Sequence, residues 1–261
     1  MTRKALLVGI NNYEMDGCDL NGCVNDVEDM FKVTRNFLIM KNTEVRVLAN
    51  RRATKKAILH RLNWLVDGIQ PGDLIIFHFS GHGSQILDRD GDELEDHLDE
   101  LICPHDMDWD GCYITDDDLW EIFRCVPDGA LSEVFLDCCH SGDGTRGMRG
   151  GLKNSRYLQP PIDIESRSYG ADLSIKAIKK PLRNHVLWSA CRSDQTAADA
   201  YINRKYHGAF THFLTKHLYD KFLSRSDLLG KIRLDLKKDS YSQIPQLAIG
   251  EGISGRSIFS I

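Results

Sequence analysis

Asp73-Leu-Ile-Ile-Phe-His-Phe79 is a short apolar run that ends in the small-residue turn Ser80-Gly-His-Gly-Ser-Gln85. Apolar runs of this length, rich in Ile and Phe and closed by Gly and Ser, are typical of buried β-strands. A second stretch follows the same plan, because Ser132-Glu-Val-Phe-Leu-Asp137 leads into Cys138-Cys-His-Ser-Gly142. The sequence therefore predicts two buried strands, each of which opens at its carboxyl end into a turn with reactive side chains.

Similar runs alternate with helical patterns along the rest of the chain. The further predicted strands are Lys4–Ile10, Thr43–Leu48, Asn184–Ser189 and Pro245–Ile249. The apolar residues that recur at helical spacing are Val24, Val27, Met30, Phe31 and Phe37, with Asn21 or Asn25 as a cap, and Ile58, Leu62 and Leu65, with Thr54 as a cap. Two more helices are predicted over Asp116–Cys125 and Ala209–Phe222. This alternation predicts an α/β fold, with a mostly parallel six-stranded sheet flanked by helices.

Length and composition narrow the class of protein. The chain has 261 residues, 42% of them hydrophobic, and a formal net charge of −5, which fits one globular domain and excludes intrinsic disorder. No apolar run approaches the roughly 18 residues that a membrane helix needs, and the N-terminal run lacks the features of a signal peptide. Eight cysteines without a CxxC pair indicate reduced thiols, so we expect a cytoplasmic protein without a membrane partner.

Two long connections carry opposite charge. Residues 88–118 contain 14 acidic residues and one Arg, whereas residues 144–184 contain nine basic and three acidic residues. Connections this long inside a compact domain are usually functional. The basic connection lacks the interleaved aromatic residues of a single-strand binding surface, and we expect no nucleic-acid partner.

The two strand ends predict a catalytic pair. Neighbouring parallel strands would bring His82 beside Cys139, although 57 positions separate them in the sequence. A thiol so placed can lose its proton to the imidazole and attack a carbonyl carbon, after which the imidazole protonates the leaving amine. The amides of Gly83 and Cys139 could hold the developing oxyanion. Cys138 should face the opposite side, since successive residues of a strand alternate.

These turns resemble the catalytic segments of metacaspases, a family of caspase-like cysteine peptidases. The resemblance extends to further blocks: residues 7–13, 20–26, 190–199 and 208–211. It implies a caspase-like α/β sandwich, with Cys139 as nucleophile and His82 as general acid and base. It also implies one domain over residues 1–261, with a large-subunit-like part at about 1–143, the basic connection at about 144–183 and a small-subunit-like part at about 184–261. A monomer is expected.

The resemblance also implies a substrate pocket for a basic side chain. Asp26 and Asp137 occupy the positions whose carboxylates accept Arg or Lys at P1, the residue before the scissile bond, and Cys23 and Ser189 are assigned to the same pocket. Paired carboxylates suit a guanidinium and repel an acidic side chain. By themselves the two positions have ordinary interpretations, a helix-terminal acid for Asp26 and a strand-end residue for Asp137. Two further acids near the entrance remain candidates, Asp16 and Asp19.

Calcium is the expected cofactor. Residues 88–93 are similar to an EF-hand loop, but a glycine precedes the third acid and position twelve is Asp99, so this motif is rejected. In calcium-dependent metacaspases separated acids hold the ion, and the matching residues are Asp106, Asp116, Asp117 and Asp143. The last of these corresponds to a family ligand a few residues after the catalytic Cys, where this sequence has Asp143 but carries Arg146 near the expected offset, which departs from the family pattern. A solvated acidic loop is the alternative interpretation.

The basic connection follows the nucleophile, where caspase-like peptidases are cut. The residues there that the acidic pocket itself would accept are Arg146, Arg149, Lys153 and Arg156. The sequence therefore predicts slow self-cleavage in this segment.

Competing interpretations are weaker. A cysteine phosphatase needs an Arg six positions after its Cys, whereas Arg146 lies seven after Cys139 and eight after Cys138. Zinc binding lacks paired ligand spacing. A catalytically weak caspase-like scaffold that binds calcium or protein partners remains the alternative to an Arg/Lys-directed cysteine endopeptidase acting on proteins and peptides.

Overall fold

A computed structural model describes residues 1–87, 98–139, 155–165, 182–220, 223–253 and 257–260. Its strands are β1 (Arg3–Gly9), β2 (Val45–Ala49), β3 (Leu74–Ser80), β4 (Gly83–Leu87), β5 (Leu98–Ile102), β6 (Ile114–Thr115), β7 (Leu131–Asp137), β8 (His185–Ser189), β9 (Asp199–Ile202), β10 (Lys205–Gly208) and β11 (Gln246–Ile249). Its α-helices are α1 (Cys23–Lys32), α2 (Lys55–Val66), α3 (Asp116–Phe123), α4 (Ile162–Glu165), α5 (Ala209–His217) and α6 (Arg225–Lys238). A π-helical turn at Val33–Phe37 extends α1, and 3₁₀ turns occupy Asn42–Glu44 and Asn50–Arg52.

The central sheet has six strands in the order β11-β8-β7-β3-β1-β2. All neighbouring pairs are parallel except β11 with β8, which is antiparallel. Each of the six strands coincides with a predicted one within a residue or two at either end. The predicted α/β fold with a mostly parallel six-stranded sheet is thus confirmed.

The register between β3 and β7 determines where the catalytic candidates lie. Ser80, the last residue of β3, pairs with Asp137, the last residue of β7, and Ser80 also pairs with Gly9 of β1. The carboxyl ends of β1, β3 and β7 therefore lie at the same edge of the sheet. Ligands of open α/β sheets bind at this edge.

Helix boundaries depend on local capping. At the start of α2 the Thr54 hydroxyl accepts a hydrogen bond from the Ala57 amide at 3.2 Å, as predicted. The N-cap of α1 is Gly22, which provides no side-chain cap, so the expected caps Asn21 and Asn25 are both wrong. A predicted helix over Ala209–Phe222 is shorter in the structure, where α5 ends at His217.

Three features of the fold were not predicted. Strands β4, β5 and β6 form a second sheet, in which β4 precedes the acidic connection at residues 88–118 and β5 and β6 lie within it. The strands of the β9–β10 hairpin were not predicted either, because strands this short give little periodic signal. Helix α6 does have a signal, since Leu228, Ile232 and Leu236 recur every four residues and are all buried.

The core lies in two layers, one on each face of the central sheet. Cys139 belongs to the cluster that contains Phe135, Trp188 and Phe210, whereas Cys138 belongs to the cluster on the other face. The alternation expected for these two cysteines is therefore observed. No helix in the described ranges combines the length and apolar character needed to cross a membrane.

Candidate active site

The turns after β3 and β7 lie against each other. The Gly81 amide donates to the Asp137 carbonyl at 3.4 Å. A Cβ atom on Gly83 would lie 2.3 Å from the Cys139 carbonyl oxygen, so only glycine allows this approach. His82 is 5% exposed and Cys139 is fully buried. The structure thus places the turns of the two catalytic candidates side by side at the edge of the sheet.

Hydrogen bonds define the state of His82. Its Nε2 lies 2.7 Å from the Cys18 carbonyl oxygen, and its backbone amide donates to the Tyr13 hydroxyl at 2.8 Å. Because a carbonyl only accepts, Nε2 carries the ring proton and Nδ1 carries the lone pair. Among the described residues Nδ1 has no hydrogen-bond partner. The ring is therefore oriented like that of a general base with Nδ1 as the basic atom.

Burial keeps this imidazole neutral. Removal from water lowers the pKa of His82 to about 4, the nearby Arg156 guanidinium acts in the same direction, and the carbonyls of Cys18 and Arg156 oppose the shift. The Tyr13 ring also packs against the imidazole, with the two ring centroids 4.9 Å apart. At neutral pH His82 is thus uncharged.

The Cys139 thiol makes its own contacts away from the imidazole. Its Sγ accepts a hydrogen bond from the Ala197 amide and lies 3.6 Å from the Ala197 carbonyl oxygen. The neighbouring Cys191 thiol is hydrogen-bonded to the Cys139 side chain, and this contact together with burial raises the pKa of Cys191. No hydrogen bond joins Cys139 to His82 Nδ1. Hydrogen bonds between catalytic groups are often long or absent in a structure without substrate, so this geometry does not exclude the predicted pair.

A buried guanidinium fills the space between the strand ends. The Arg156 side chain is fully buried, with Nη2 2.8 Å from Asp26 Oδ2 and 3.1 Å from Asp199 Oδ1, and with Nη1 3.1 Å from Asp137 Oδ1. Its Nη1 also donates to the Ser80 hydroxyl at 2.8 Å. We call these three carboxylates and the Ser80 hydroxyl the acidic pocket. Three carboxylates thus surround one guanidinium, the geometry in which a guanidinium makes charge-assisted hydrogen bonds.

Each carboxylate is itself held by other donors. The Gly208 amide donates to Asp26 at 3.0 Å, and the Thr211 amide and hydroxyl donate to Asp137 Oδ2 at 2.9 and 2.6 Å. A Cβ on Gly208 would come within 2.3 Å of both Asp137 and the guanidinium, so glycine is needed here. The pocket is therefore preorganised by α5 and the end of β10.

The Arg156 backbone is held as firmly as its side chain. Its carbonyl oxygen accepts hydrogen bonds from the Gly83 amide at 2.9 Å and the Cys139 amide at 3.2 Å, and its own amide donates to the Ala197 carbonyl at 3.1 Å. Ser155 forms an antiparallel bridge with Ala198. The segment around Arg156 is thus held to the site by backbone contacts on both sides of this residue.

The ionisation of the pocket depends on Arg156. Burial alone would raise the pKa of Asp26, but the guanidinium, helped by His207 and Ser80, holds it below its ordinary value. Burial raises the pKa of Asp137, the same guanidinium opposes the shift, and the like charge of Asp26 adds to it. The single cation therefore has to balance several buried acids.

Some pocket residues were missed in the sequence. Asp199 ends the block 190–199 but was not singled out, and its carboxylate also accepts from the backbone amides of Asn21 and Gly22 at 2.8 and 2.9 Å. The sequence also does not indicate Ser80 of the pocket, or Tyr13 and Cys18 beside His82, since contacts between distant parts of the chain leave no sequence pattern.

The other residues predicted for the pocket differ in their relation to Arg156. Cys23 is buried close enough to the guanidinium for Arg156 to act on its pKa, which burial raises to about 12. Among the described residues Ser189 is not a hydrogen-bond partner of Arg156. Asp19 accepts hydrogen bonds from Asn12 and the Tyr13 amide and so organises the entrance loop.

The predicted calcium ligands do not form one cluster in the described chain. Asp106 accepts from the Lys55 amide at 2.8 Å at the start of α2, whereas Asp116 and Asp117 lie in the first turn of α3. Within the described ranges no group of three or more His, Cys, Asp or Glu side chains is arranged to hold a metal ion. Asp143 lies outside the described residues, as do Arg146, Arg149 and Lys153. Calcium binding stays a prediction.

Comparison with known proteins identifies the family. A model of the metacaspase, peptidase C14 domain matches residues 3–145. The chain belongs to the metacaspase family. Curated metacaspases are similar along most of it: Metacaspase-1 of Pyricularia oryzae is 29% identical over 99% of this chain and 74% of its own length, and Metacaspase-1 of Schizosaccharomyces pombe is 33% identical over 94% and 67%. As a metacaspase, the chain is a cysteine-type endopeptidase.

Solved structures support the fold. Protein GSU0716 of Geobacter sulfurreducens superimposes with a TM-score of 0.71 at 23% identity over 96% of this metacaspase and 94% of its own chain. Caspase-1 of Spodoptera frugiperda gives 0.61 at 16% identity, over 95% and 86%. The predicted caspase-like sandwich is therefore confirmed. The proposed division into large- and small-subunit-like parts stays a prediction.

Proposed function

We propose that this metacaspase cleaves proteins and peptides after Arg and Lys, and that it processes itself at the Arg156–Tyr157 bond. One observation carries the proposal. The Arg156 guanidinium lies among three carboxylates while the carbonyl of the same residue accepts from the Gly83 and Cys139 amides. A residue held at both ends in this way has the position of a substrate residue before a scissile bond.

The residues suggest a sequence of steps. His82 Nδ1 takes the proton of the Cys139 thiol, and Sγ attacks the carbonyl carbon of the substrate residue in the acidic pocket. The Gly83 and Cys139 amides stabilise the negative oxygen that forms. The imidazolium then gives its proton to the leaving amine, which breaks the peptide bond and leaves an acyl-enzyme. Water hydrolyses the acyl-enzyme, with His82 again as base. Before the first step the thiol has to exchange its contacts with Ala197 for one with His82.

The charge of the acidic pocket supports basic specificity. An Asp or Glu side chain would add a fourth buried negative charge, whereas Lys would provide one cationic point without the fork of Arg. We therefore expect the order Arg, Lys, and then all neutral and acidic residues.

Self-cleavage gives the sharpest test. Intact-mass analysis of the purified chain should reveal fragments that separate between Arg156 and Tyr157, and Cys139→Ala should stay whole. Arg156→Lys should still be cut, more slowly, whereas Arg156→Gln should resist at this bond. Fluorogenic peptides that end in Arg, Lys or Asp test the same pocket on added substrates. Cleavage after Asp alone would overturn the proposed specificity.

Calcium activation is the second part of the proposal, and its support is the family resemblance and the acid-rich segment. We expect hydrolysis of the Arg peptide to rise with calcium and to fall with a chelator, and Asp117→Asn to need more of the ion. Equal rates in calcium and chelator would remove this role. If no peptide is cut and the wild-type chain stays whole in calcium, the scaffold alternative is favoured. A cytoplasmic location and a monomeric state also stay predictions.

A further inference from the structure

The chain on the other side of the proposed scissile bond is also held in a defined way. Tyr157 forms a parallel bridge with Gly83. The Leu158 amide donates to the Gly83 carbonyl at 2.9 Å, and the Ser84 hydroxyl donates to the Leu158 carbonyl at 2.6 Å. Two residues of β4 therefore bind the two residues that follow Arg156.

Gly83 connects the two halves of this contact. Its amide donates to the Arg156 carbonyl and its carbonyl accepts from the Leu158 amide. The same peptide segment thus lies beside the proposed oxyanion site and pairs with the start of β4 through one parallel bridge. Strand addition of this kind gives affinity through the main chain, while pockets for alternate side chains give selectivity.

The side chains of the two residues meet different surroundings. Leu158 is only 8% exposed and belongs to the apolar cluster that includes Ile86 of β4 and Leu101 of β5. Tyr157 is half-buried and packs against the cluster on the other face, to which Cys139 belongs. The second position after the cut is therefore the buried apolar one.

We propose that β4, through Gly83 and Ser84, and the apolar cluster around Leu158 form a binding site for the leaving-group side of substrates, and that this site selects an apolar residue at the second position after the scissile bond. The inference rests on the proposed cleavage after Arg156. Its ligand class is an extended peptide with Arg or Lys before the cut and Leu or a residue of similar size two positions after it.

Burial of one such side chain sets the expected size of the effect. When Leu replaces a polar residue of similar length at the second position after the scissile bond, kcat/KM should rise by about 10- to 100-fold, because the Leu side chain leaves water when the peptide binds. A substrate that ends at the scissile bond in a small reporter group cannot use the site.

The test compares internally quenched peptides on the self-processed chain in calcium. The peptides share one sequence up to Arg, continue with Tyr, and then carry Leu, Gln or Asp. A coumarin amide of the same sequence up to Arg reports cleavage without any residue after the cut. We expect the Leu peptide to be cut fastest and Ser84→Ala to lower the ratio of its kcat/KM to that of the coumarin amide. Equal kcat/KM for Leu and Gln within twofold would overturn the inference while leaving cleavage after Arg intact. Failure on the coumarin amide as well would overturn both.

A second arm uses the chain as its own substrate. Leu158→Gln should slow first-order self-cleavage, Leu158→Met should restore it, and Leu234→Gln, a substitution at a residue that is 66% exposed, serves as the matched control. Unfolding midpoints of the three variants in a Cys139→Ala background separate a loss of folding from a loss of binding. A cut at the wild-type rate in a folded Leu158→Gln chain contradicts the proposal.

Discussion

Arg156 Nη2 lies 2.8 Å from Asp26 Oδ2, and both side chains are completely buried. Asp26 also accepts from the Gly208 amide and the Ser80 hydroxyl, and the His207 ring lies 3.6 Å from its other carboxylate oxygen. Burying charges is costly unless each is paired, and the paired state depends on the one cation. The chain thus folds around a contact that the proposed reaction would later release.

Removal of that cation should destabilise the uncut chain. In a Cys139→Ala background, Arg156→Gln should lower the free energy of unfolding at pH 8 by about 3 to 5 kcal/mol, because buried carboxylates lose their partner. Without the guanidinium the pKa of Asp26 should rise above its unfolded value, and the pKa of Asp137, which burial already raises, should rise further. The folded variant would then bind more protons than the unfolded one, so its deficit should shrink as the pH falls to 5.5.

Denaturant unfolding at the two pH values measures this difference. Arg124→Gln is the matched control, since Arg124 pairs with Glu121 at the surface with 53% of its side chain exposed. Surface pairs contribute about 0 to 1 kcal/mol. Equal losses for Arg156→Gln and Arg124→Gln at pH 8 would contradict the role of the acidic pocket.

Asp199 should determine how strongly the pocket prefers a charged guanidinium. Asp199→Asn should lower kcat/KM for an Arg peptide by about 10- to 100-fold, the effect of one hydrogen bond to a charged group. A peptide with citrulline, the neutral isostere of Arg, should lose less, so the ratio of the two rates should fall. Asp194→Asn, at an exposed ion pair with Arg192, is the control. An unchanged ratio would mean that Asp199 only anchors Asn21 and Gly22.

The sequence predicted the scaffold better than the pocket. The six strands of the central sheet are predictable because each is a short apolar run with turn residues after it. Parallel pairing of β3 with β7 then follows from the alternation of strands and helices along the chain. Asp26 and Asp137 were found only through a family resemblance. Asp199 was missed, although it lies at the start of β9, because a short hairpin carries no periodic pattern.

The occupant of the pocket could not have been predicted from spacing. Arg146, Arg149, Lys153 and Arg156 are equivalent in sequence terms, all being basic residues in one connection. Arg156 is the one of the four that lies in the described part of the chain, where Ser155 bridges Ala198 and Tyr157 bridges Gly83. These contacts join positions far apart in the chain, and no pattern in a single sequence indicates them.

Tyr13 should act on catalysis by holding His82 in place. Tyr13→Phe removes the hydroxyl that accepts the His82 amide at 2.8 Å and leaves that buried donor unpaired, at a cost of about 1 to 3 kcal/mol of stability. We expect kcat for an Arg peptide to fall about tenfold with little change in KM, since a displaced imidazole affects proton transfer more than binding. Tyr201→Phe, at a residue that is 63% exposed, is the control. An equal rise in KM with constant kcat would point to the pocket instead.

The pH dependence of self-cleavage should reveal the buried state of His82. Burial lowers the pKa of His82 to about 4, so in the uncut chain the imidazole stays neutral as the pH falls from 7 towards 4 and can still accept the thiol proton. Self-cleavage starts from the covered site, and the acid limb of its first-order rate should therefore lie near pH 4. The kcat/KM of added peptides reports the free, processed enzyme, in which an uncovered imidazole titrates closer to its ordinary value of about 6.5. Quenched-flow or gel kinetics of the uncut chain, set against peptide hydrolysis in the same buffers, measure the two limbs. Coincident acid limbs near pH 6.5 would show that the segment around Arg156 does not cover His82 in solution.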